Sequence, residues 1–379
     1  MKILFLSNYF NHHQAPLCDA LQALTGGNFY FAETASMPRE QRELGYPQLK
    51  RDYVLRWRED KARILRELKT ADVVIAGEAP QYLLRRRFWT GKLVFRYSER
   101  PLRQGIEAWK FLPRLLRWHW WNPSWAKLYL LSTGAYTAAD YAKFGLFLGK
   151  SFRWGYFPEG NVRNWEELAA KKQPAEILWC GRFLELKHPE QALEAAARLQ
   201  REGYRFMLTF LGRGEQDKQL KQRVKQQNME HCVRFPGAVP QEEVAEYMEK
   251  AGIFLFTSDK REGWGAVLNE AMGCGCAVVA SLGPGSVPYL VKAGENGLVY
   301  PENNVDVLTE KLRYLLENPK KQVVFGEKAC ETVGNLWSPQ EAARRLVALS
   351  EALLRGEEGR DLYQEGPCSP EDPRKKEKP

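Results

Sequence analysis

The chain alternates short apolar runs with longer amphipathic or polar stretches, and it does so twice. In the first half, residues 2–7, 28–32, 72–76, 92–97, 128–131 and 151–154 are compact apolar runs too short for helices, and they predict strands. Between them, residues 14–24, 59–68, 80–88 and 136–144 carry helical spacing, the last ended by Gly145. Residues 39–51 are polar and predict no definite element, and 161–174 read as a polar connector without a strand. The second half repeats the rhythm. Strands are predicted at 176–180, 206–211, 232–235, 253–257 and 277–280, and helices at 189–200, 216–227, 241–250, 266–273, 305–317 and 320–332. A last helix over 340–354 follows Pro339, with a partial apolar stripe at Ala343, Leu346, Val347 and Leu354. Residues 356–379 are charged and rich in Pro and Gly, and they predict a disordered tail.

Strands that alternate with helices predict parallel sheets covered on both faces, so the fold class is α/β with two Rossmann-like βαβ domains. A length of 379 residues exceeds one typical core, which agrees with that division. The expected domains are 1–157 and 174–337. Ligands in such folds bind beyond the carboxyl ends of the strands, and with two domains the expected site is a central cleft that both face.

Composition narrows the class. No apolar run approaches 18 residues, so no transmembrane span is expected. The opening MKILFLSNYF is too short an apolar stretch for a secretory signal and reads as the first buried strand of a cytoplasmic protein. The seven cysteines are scattered without a C-x2-C pair, and they read as reduced thiols in apolar surroundings rather than disulfides or zinc ligands. The net charge of +9 is concentrated. Residues 81–130 hold eleven Lys and Arg against two Asp and Glu, a surplus equal to that of the whole chain. The same stretch carries Trp109, Trp118, Trp120, Trp121 and Trp125. Basic groups interleaved with tryptophan suit an anionic membrane surface, single-stranded nucleic acid or a phosphorylated glycan. The alternative is an aromatic core beneath a solvated basic face.

Three strand ends in the second half carry candidate chemistry. The first predicted strand closes on Gly181, Arg182 follows and Lys187 comes shortly after. A glycine there lets backbone approach closely, while the guanidinium fork and the ammonium suit a diphosphate. The next strand closes on Gly212-Arg213-Gly214. The fourth leads into a polar loop with Glu262, Gly263, Trp264 and Gly265, and then a helix opening near Ala266 and Val267 that carries Glu270. Carboxylates accept hydrogen bonds from sugar hydroxyls, and a helix start offers N–H groups to an anion. Each cluster alone also fits an ordinary solvated loop; their recurrence at successive strand ends favours a site. Neither G-x-G-x-x-G nor the P-loop pattern occurs, which disfavours nicotinamide-cofactor and nucleotide-triphosphatase readings.

In order, GRFLELKHPEQALEAA, FLGRGEQ, VRFPGAVPQEEVAEYMEKAGIFLFTS, EGWGAVLNEAMGCGCAVVAS and ENGLVYPENNVDVLTEKL resemble the nucleotide-sugar domain of family 4 retaining glycosyltransferases, which have the GT-B fold. The resemblance covers residues 176–319; the first half is similar mainly in its rhythm and its opening LSNYFNHHQAPLCDAL. It implies a nucleoside-diphosphate sugar, UDP- or GDP-linked, as donor and no metal or other cofactor; the chain has no Asp-x-Asp motif. It implies that Gly181, Arg182, Lys187 and Gly212 serve the diphosphate end. Glu262 would meet the transferred sugar, and the backbone from Gly263 through Trp264, Gly265 and Ala266 to Val267 would hold sugar and phosphate oxygens. Glu270 would take the ribose, and backbone near Arg234 and Phe235 the base. Asn8, Asn11, His12 and His13 would stand on the acceptor side. Where many members place a histidine after the strand KLVFRYSER, this chain has Ser98 and Glu99, so Glu99 or the histidines, His13 among them, would serve the reaction centre.

The resemblance further implies transfer to a glycan or lipid-linked glycan acceptor in surface-polysaccharide biosynthesis. It implies a cytoplasmic protein, peripheral on the membrane face if its acceptor is lipid-linked, with no nucleic acid as partner. It also implies that the 340–354 helix completes the first domain. The rival readings are an epimerase or hydrolase of nucleotide sugars with the same fold, and a non-catalytic carbohydrate- or membrane-binding subunit.

Overall fold

The computed structural model describes residues 1–39, 49–158 and 164–372. The described chain divides into two compact units, one built from residues up to 158 together with 336–372, the other from 164–335.

The first unit is a seven-stranded sheet formed by β1 (Ile3–Ser7), β2 (Phe29–Glu33), β3 (Val54–Arg56), β4 (Val73–Ala76), β5 (Leu93–Glu99), β6 (Leu128–Thr133) and β7 (Ser151–Trp154), in the order β3-β2-β1-β4-β5-β6-β7. Every pairing between these strands is parallel. Leu4, Leu6, Val74, Val94, Leu128 and Leu130 feed one core on a face of this sheet. β3 was not foreseen: three residues at an edge are too few to show a period. The helix Ala108–Trp121 runs unbroken through Pro113.

The second unit is a six-stranded parallel sheet formed by β8 (Gln173–Cys180), β9 (Met207–Leu211), β10 (Val233–Gly237), β11 (Ala251–Phe256), β12 (Ala277–Ser281) and β13 (Gly297–Tyr300), in the order β10-β9-β8-β11-β12-β13. Ile177, Trp179, Leu208, Phe210, Ile253 and Leu255 turn to one core, against the helices Pro189–Arg201 and Val305–Glu317. β13 escaped the sequence pattern because its first residue is Gly297, where a Cβ would lie 2.5 Å from Val278 Cγ2. The expected connector also holds a helix, Trp165–Lys171, capped by the Asn164 side chain accepting from Glu166 N–H, with acids in its first turn.

The C-terminal part corrects the expectation of a disordered tail. The helix Pro339–Arg355 belongs to the first unit and packs on the helix Ala15–Leu24. Residues 356–372 then continue as an ordered strap instead of a disordered tail. Cys368 N–H donates to Arg153 O (2.8 Å), Arg153 N–H to Ser369 O (2.8 Å) and Glu371 N–H to Ser151 O (2.9 Å), so the strap pairs with the free edge of β7. Cys368 and Ser369 are fully buried. Composition foretold disorder because it counts charges, whereas a few backbone bonds and one buried thiol fix this segment. The remainder of the expected tail, 373–379, and residues 40–48 and 159–163 of the two polar stretches lie outside the described residues.

Candidate functional site

Both sheets reverse their strand order at one point, and in open parallel sheets that point opens a crevice at the strands' carboxyl ends. In the second unit the reversal falls between β8 and β11. The loop after β8 carries Gly181, Arg182 and the single 3-10 turn Glu185–Lys187, and the loop after β11 carries Asp259 through Gly265. The topology therefore juxtaposes the two loops the sequence singled out.

Side chains and backbone then tie them together. Lys187 and Glu262, both half-buried, form an ion pair. Asp259 N–H donates to Leu186 O (2.9 Å). Trp179 Nε1–H donates to Thr257 Oγ1 (2.8 Å), whose own hydroxyl donates to Lys187 O (2.6 Å). His188 lies 2.7 Å from Glu190 through Nδ1 and 3.0 Å from Asp259 through Nε2. The Glu190 carboxylate raises the His188 pKa, burial opposes it, and Asp259 adds to the rise. Arg261 completes the group on Asp259 Oδ2 (2.8 Å). Sequence reasoning missed Thr257, His188, Asp259 and Arg261. The available signals were the small polar run Thr257-Ser258-Asp259 closing an apolar strand and a histidine just before the helix-opening Pro189.

Glu270 sits in the first turn of Val267–Gly273, and burial pushes its pKa up to about 7. The Cys180 thiol is pushed up to about 12, by burial first, then by the Glu270 charge, with Lys187 opposing. Both charges therefore act at the end of β8, which brings Glu270 into the same neighbourhood as Lys187. Arg182 is exposed on the loop between Cys180 and Lys187.

The glycines serve the assembly in a way the sequence did not disclose. Gly212 has φ +134° and lies so near the β8 loop that a Cβ would stand 2.0 Å from Gly181 O; a Cβ on Gly214 would stand 2.6 Å from Phe183 N. Gly265, at φ +82°, allows Phe256 to pack beneath the loop. The Trp264 side chain is buried, donating from Nε1 to Asn269 Oδ1 (2.7 Å), and contributes packing. Arg234 turns its side chain to Glu176 (2.8 Å) and Thr209 (2.7 Å) on the sheet face, while Phe235 stacks on Phe210 with centroids 5.2 Å apart.

In the first unit the reversal falls between β1 and β4. Asn8 follows β1, and its Nδ2 donates to Glu78 Oε2 (2.9 Å) beyond β4, while its Oδ1 accepts from Tyr9 N–H (2.8 Å). Asn11 Oδ1 accepts from His13 N–H (3.0 Å) and Gln14 N–H (3.2 Å), fixing the turn that leads into the helix Ala15–Leu24. His12 and His13 have centroids 3.9 Å apart. Burial, and secondarily the charge of His12, lowers His13 to about 3. Glu99, at the end of β5, accepts from Tyr156 Oη (2.5 Å) and from Arg103 Nη1 (2.9 Å). Glu78 and Tyr156 were not anticipated.

The family of Glycosyl transferases group 1 matches residues 163–332, which is the span that carries this second-unit site. The second unit is similar to the glycosyl transferases group 1 family along this span. Sequence similarity to curated proteins falls on the same half. The chain is 31% identical to the putative colanic acid biosynthesis glycosyltransferase WcaL of Escherichia coli K12 over 48% of this chain and 47% of that protein. It is 32% identical to the amylovoran biosynthesis glycosyltransferase AmsK of Erwinia amylovora over 48% of this chain and 46% of that protein. The chain thus spans about half the length of the curated relatives it matches. The crystal structure of Anabaena Alr3699/HepE in complex with UDP superposes with a TM-score of 0.70 at 16% identity, covering 93% of this chain and 100% of that one. That likeness shows the fold: the two units are the two Rossmann-like domains of the GT-B class. Among the described residues, no helix is long and apolar enough to cross a membrane.

Proposed function

We propose that this chain is a retaining glycosyltransferase that moves a sugar from a nucleoside-diphosphate sugar to a glycan or lipid-linked glycan, in polysaccharide biosynthesis. The observation that carries the reading is the joining of Lys187 to Glu262 across the β8–β11 reversal, inside the span matched by the group 1 family. The UDP of HepE and the polysaccharide pathways named for WcaL and AmsK support the donor and the setting.

Arg182 and Lys187 take the diphosphate, where a fork of N–H donors and a compact ammonium stabilise charge as it gathers on the leaving phosphate. Leu268 N–H already donates to Gly265 O (3.0 Å) and Glu270 N–H to Ala266 O (3.2 Å), so the helix start would add to that stabilisation through its dipole. Glu262 accepts hydrogen bonds from the transferred sugar; Glu270 accepts them from the ribose. Gly181, Gly212 and the Gly263–Val267 backbone admit the donor closely, and backbone near Arg234 and Phe235 borders the base. The bond from the anomeric carbon to the phosphate oxygen breaks. The acceptor oxygen bonds to the same face of that carbon, and its proton passes to the departing phosphate oxygen. In the first unit Asn8, Asn11, His12, His13 and Glu99 form the acceptor side, and His13 acts as a neutral hydrogen-bonding group because burial denies it a proton.

The test is a panel of UDP- and GDP-sugars, read by protection from thermal unfolding, followed by transfer to glycan and lipid-linked acceptors. Protection by one donor and acceptor-dependent release of nucleoside diphosphate are expected. Sugar release that needs no acceptor would identify a hydrolase, acceptor-independent conversion of the donor to a stereoisomer an epimerase, and absence of protection by every donor would leave a non-catalytic binding subunit.

A further inference from the structure

The helix Ala108–Trp121 has two apolar faces. The inward one is accounted for: Phe111 stacks on Phe144 with centroids 4.7 Å apart, and Trp118 lies against Phe144 at 4.5 Å and Tyr141 at 5.2 Å. The outward one is not. Trp109, Leu112, Leu116 and Trp120 recur at helical spacing along one line that faces solvent. Beside them the Trp89 and Trp125 rings pair, with centroids 4.5 Å apart. These six side chains are between 57 and 78% exposed. A contiguous apolar patch of this kind marks an interaction surface.

Charge identifies what covers it. Lys110, Arg114 and Arg117 share one flank of the helix, and the Arg85 guanidinium lies 4.1 Å over the Trp120 ring from the neighbouring helix Tyr82–Phe88. The two acids of residues 81–130 are already neutralised. Glu99 is bound by Arg103, and Glu107 by Lys110 (2.7 Å) and Trp109 Nε1 (2.6 Å). A second copy of this chain would set the same positive surplus against itself. Single-stranded nucleic acid would use the basic groups and the indoles but gains nothing from two exposed leucines between them. Indole, leucine and arginine in one plane suit a phospholipid surface, with apolar bodies in the acyl boundary and cations on the phosphates.

We infer that this face docks on an anionic bilayer, with the Ala108–Trp121 helix lying in the plane of the surface. Trp109, Leu112, Leu116 and Trp120 insert, and Arg85, Arg114 and Arg117 meet lipid phosphates. Docking deepens the proposed transfer reading by favouring the lipid-linked acceptor, and rests on that reading only for the acceptor. The surface itself stands on the geometry.

The experiment floats the full chain with vesicles of phosphatidylethanolamine and phosphatidylglycerol, against phosphatidylcholine alone, at low and high salt. Binding should require the anionic lipid and weaken with salt. Brominated acyl chains should quench the indole emission, which adsorption by charge alone does not produce. Leu112→Ser with Leu116→Ser, both on the solvent side, should lower vesicle affinity roughly tenfold or more. The same variant should keep its nucleotide-sugar thermal protection. No flotation at low salt overturns the inference. So does flotation that survives the double substitution with quenching undiminished. Self-association or single-stranded DNA binding that the substitution abolishes, with vesicles left unbound, overturns it too. Loss of thermal protection in the wild-type chain with vesicle binding intact refutes the transfer reading and leaves the docking surface standing.

Discussion

Lys187 and Glu262 neutralise each other across the reversal between β8 and β11, one from the turn that ends one loop and the other from the loop opposite. Both are half-buried, so neither charge is fully solvated, and each holds the other's loop in place. On the proposed reading, an arriving diphosphate would compete for the ammonium and free the carboxylate for sugar hydroxyls. The pair thus poises the unliganded site between two partners.

Replacing Arg182 or Lys187 with alanine should therefore lower transfer by about 10²–10³, because each would contact charge that grows as the phosphate departs. The two variants should differ in stability. Arg182 is exposed, so its loss should cost under about 0.5 kcal/mol. Lys187→Ala leaves the Glu262 carboxylate half-buried without its cation and should cost roughly 1–3 kcal/mol, most of it recovered on adding Glu262→Gln. Urea unfolding of the two single variants and the double variant reads this. Additive losses would mean that the ion pair does not couple the loops.

Glu262→Gln should mainly lower turnover, whereas Glu270→Gln should mainly weaken binding of free nucleoside diphosphate. A second readout isolates Glu270. Its pKa in the folded chain is raised to about 7 by burial, against 4.5 for the ordinary group. Between those values the folded chain holds a proton that the unfolded chain releases, so stability falls as pH rises through that window. Glu270→Gln removes the loss and should be more stable than wild type above pH 7 by roughly 1–3 kcal/mol, with little difference near pH 4.5. A stability difference that does not change with pH would exclude a buried carboxyl at this position.

The basic and acidic candidates were legible because each stands next to a strand end that hydrophobic runs reveal: Lys187 beyond β8, Glu262 and Glu270 beyond β11. What joins them was not legible. Thr257 and Asp259 become meaningful only when β11 lies beside β8, a pairing that depends on crossover order and not on any local pattern. The packing role of the glycines was not legible either: the absent side chains of Gly212 and Gly214 make room for the backbone of Gly181 and Phe183. Trp264 was placed at the site through its backbone; the burial of its side chain, which donates to Asn269, was not legible. The 356–372 strap was hidden for a related reason, since edge pairing is a property of the exposed strand it meets.

That strap predicts a further result. Removing the residues after Arg355 exposes the β7 edge and deletes the backbone bonds that Cys368, Ser369 and Glu371 make with it. At a net value of about 1 kcal/mol for each such bond, and with burial of Cys368 lost, the first unit should lose roughly 3–5 kcal/mol. Thermal unfolding should show the loss, and the truncated chain should aggregate more readily because an unpaired edge invites pairing. An unchanged melting temperature would show that the strap only rests on the unit.

Acid should destabilise the first unit through His13. Burial, and then the charge of His12, lowers its imidazole to about 3 in the folded chain, against about 6.5 when unfolded. Between those values the unfolded chain binds a proton that the folded chain refuses, so stability is full above pH 6.5 and is lost as pH falls toward 3. By pH 4 the loss from this one group reaches up to about 3 kcal/mol. His13→Gln cannot take up that proton, so its stability should fall less steeply than wild type between pH 6.5 and 4. Carboxylates titrate alike in both chains, which leaves the difference between two urea titrations to His13 and its effect on His12. Parallel curves would place a protonatable imidazole at this position, and His13 would then be available as an acid near neutral pH, contrary to its proposed role as a neutral hydrogen-bonding group on the acceptor side.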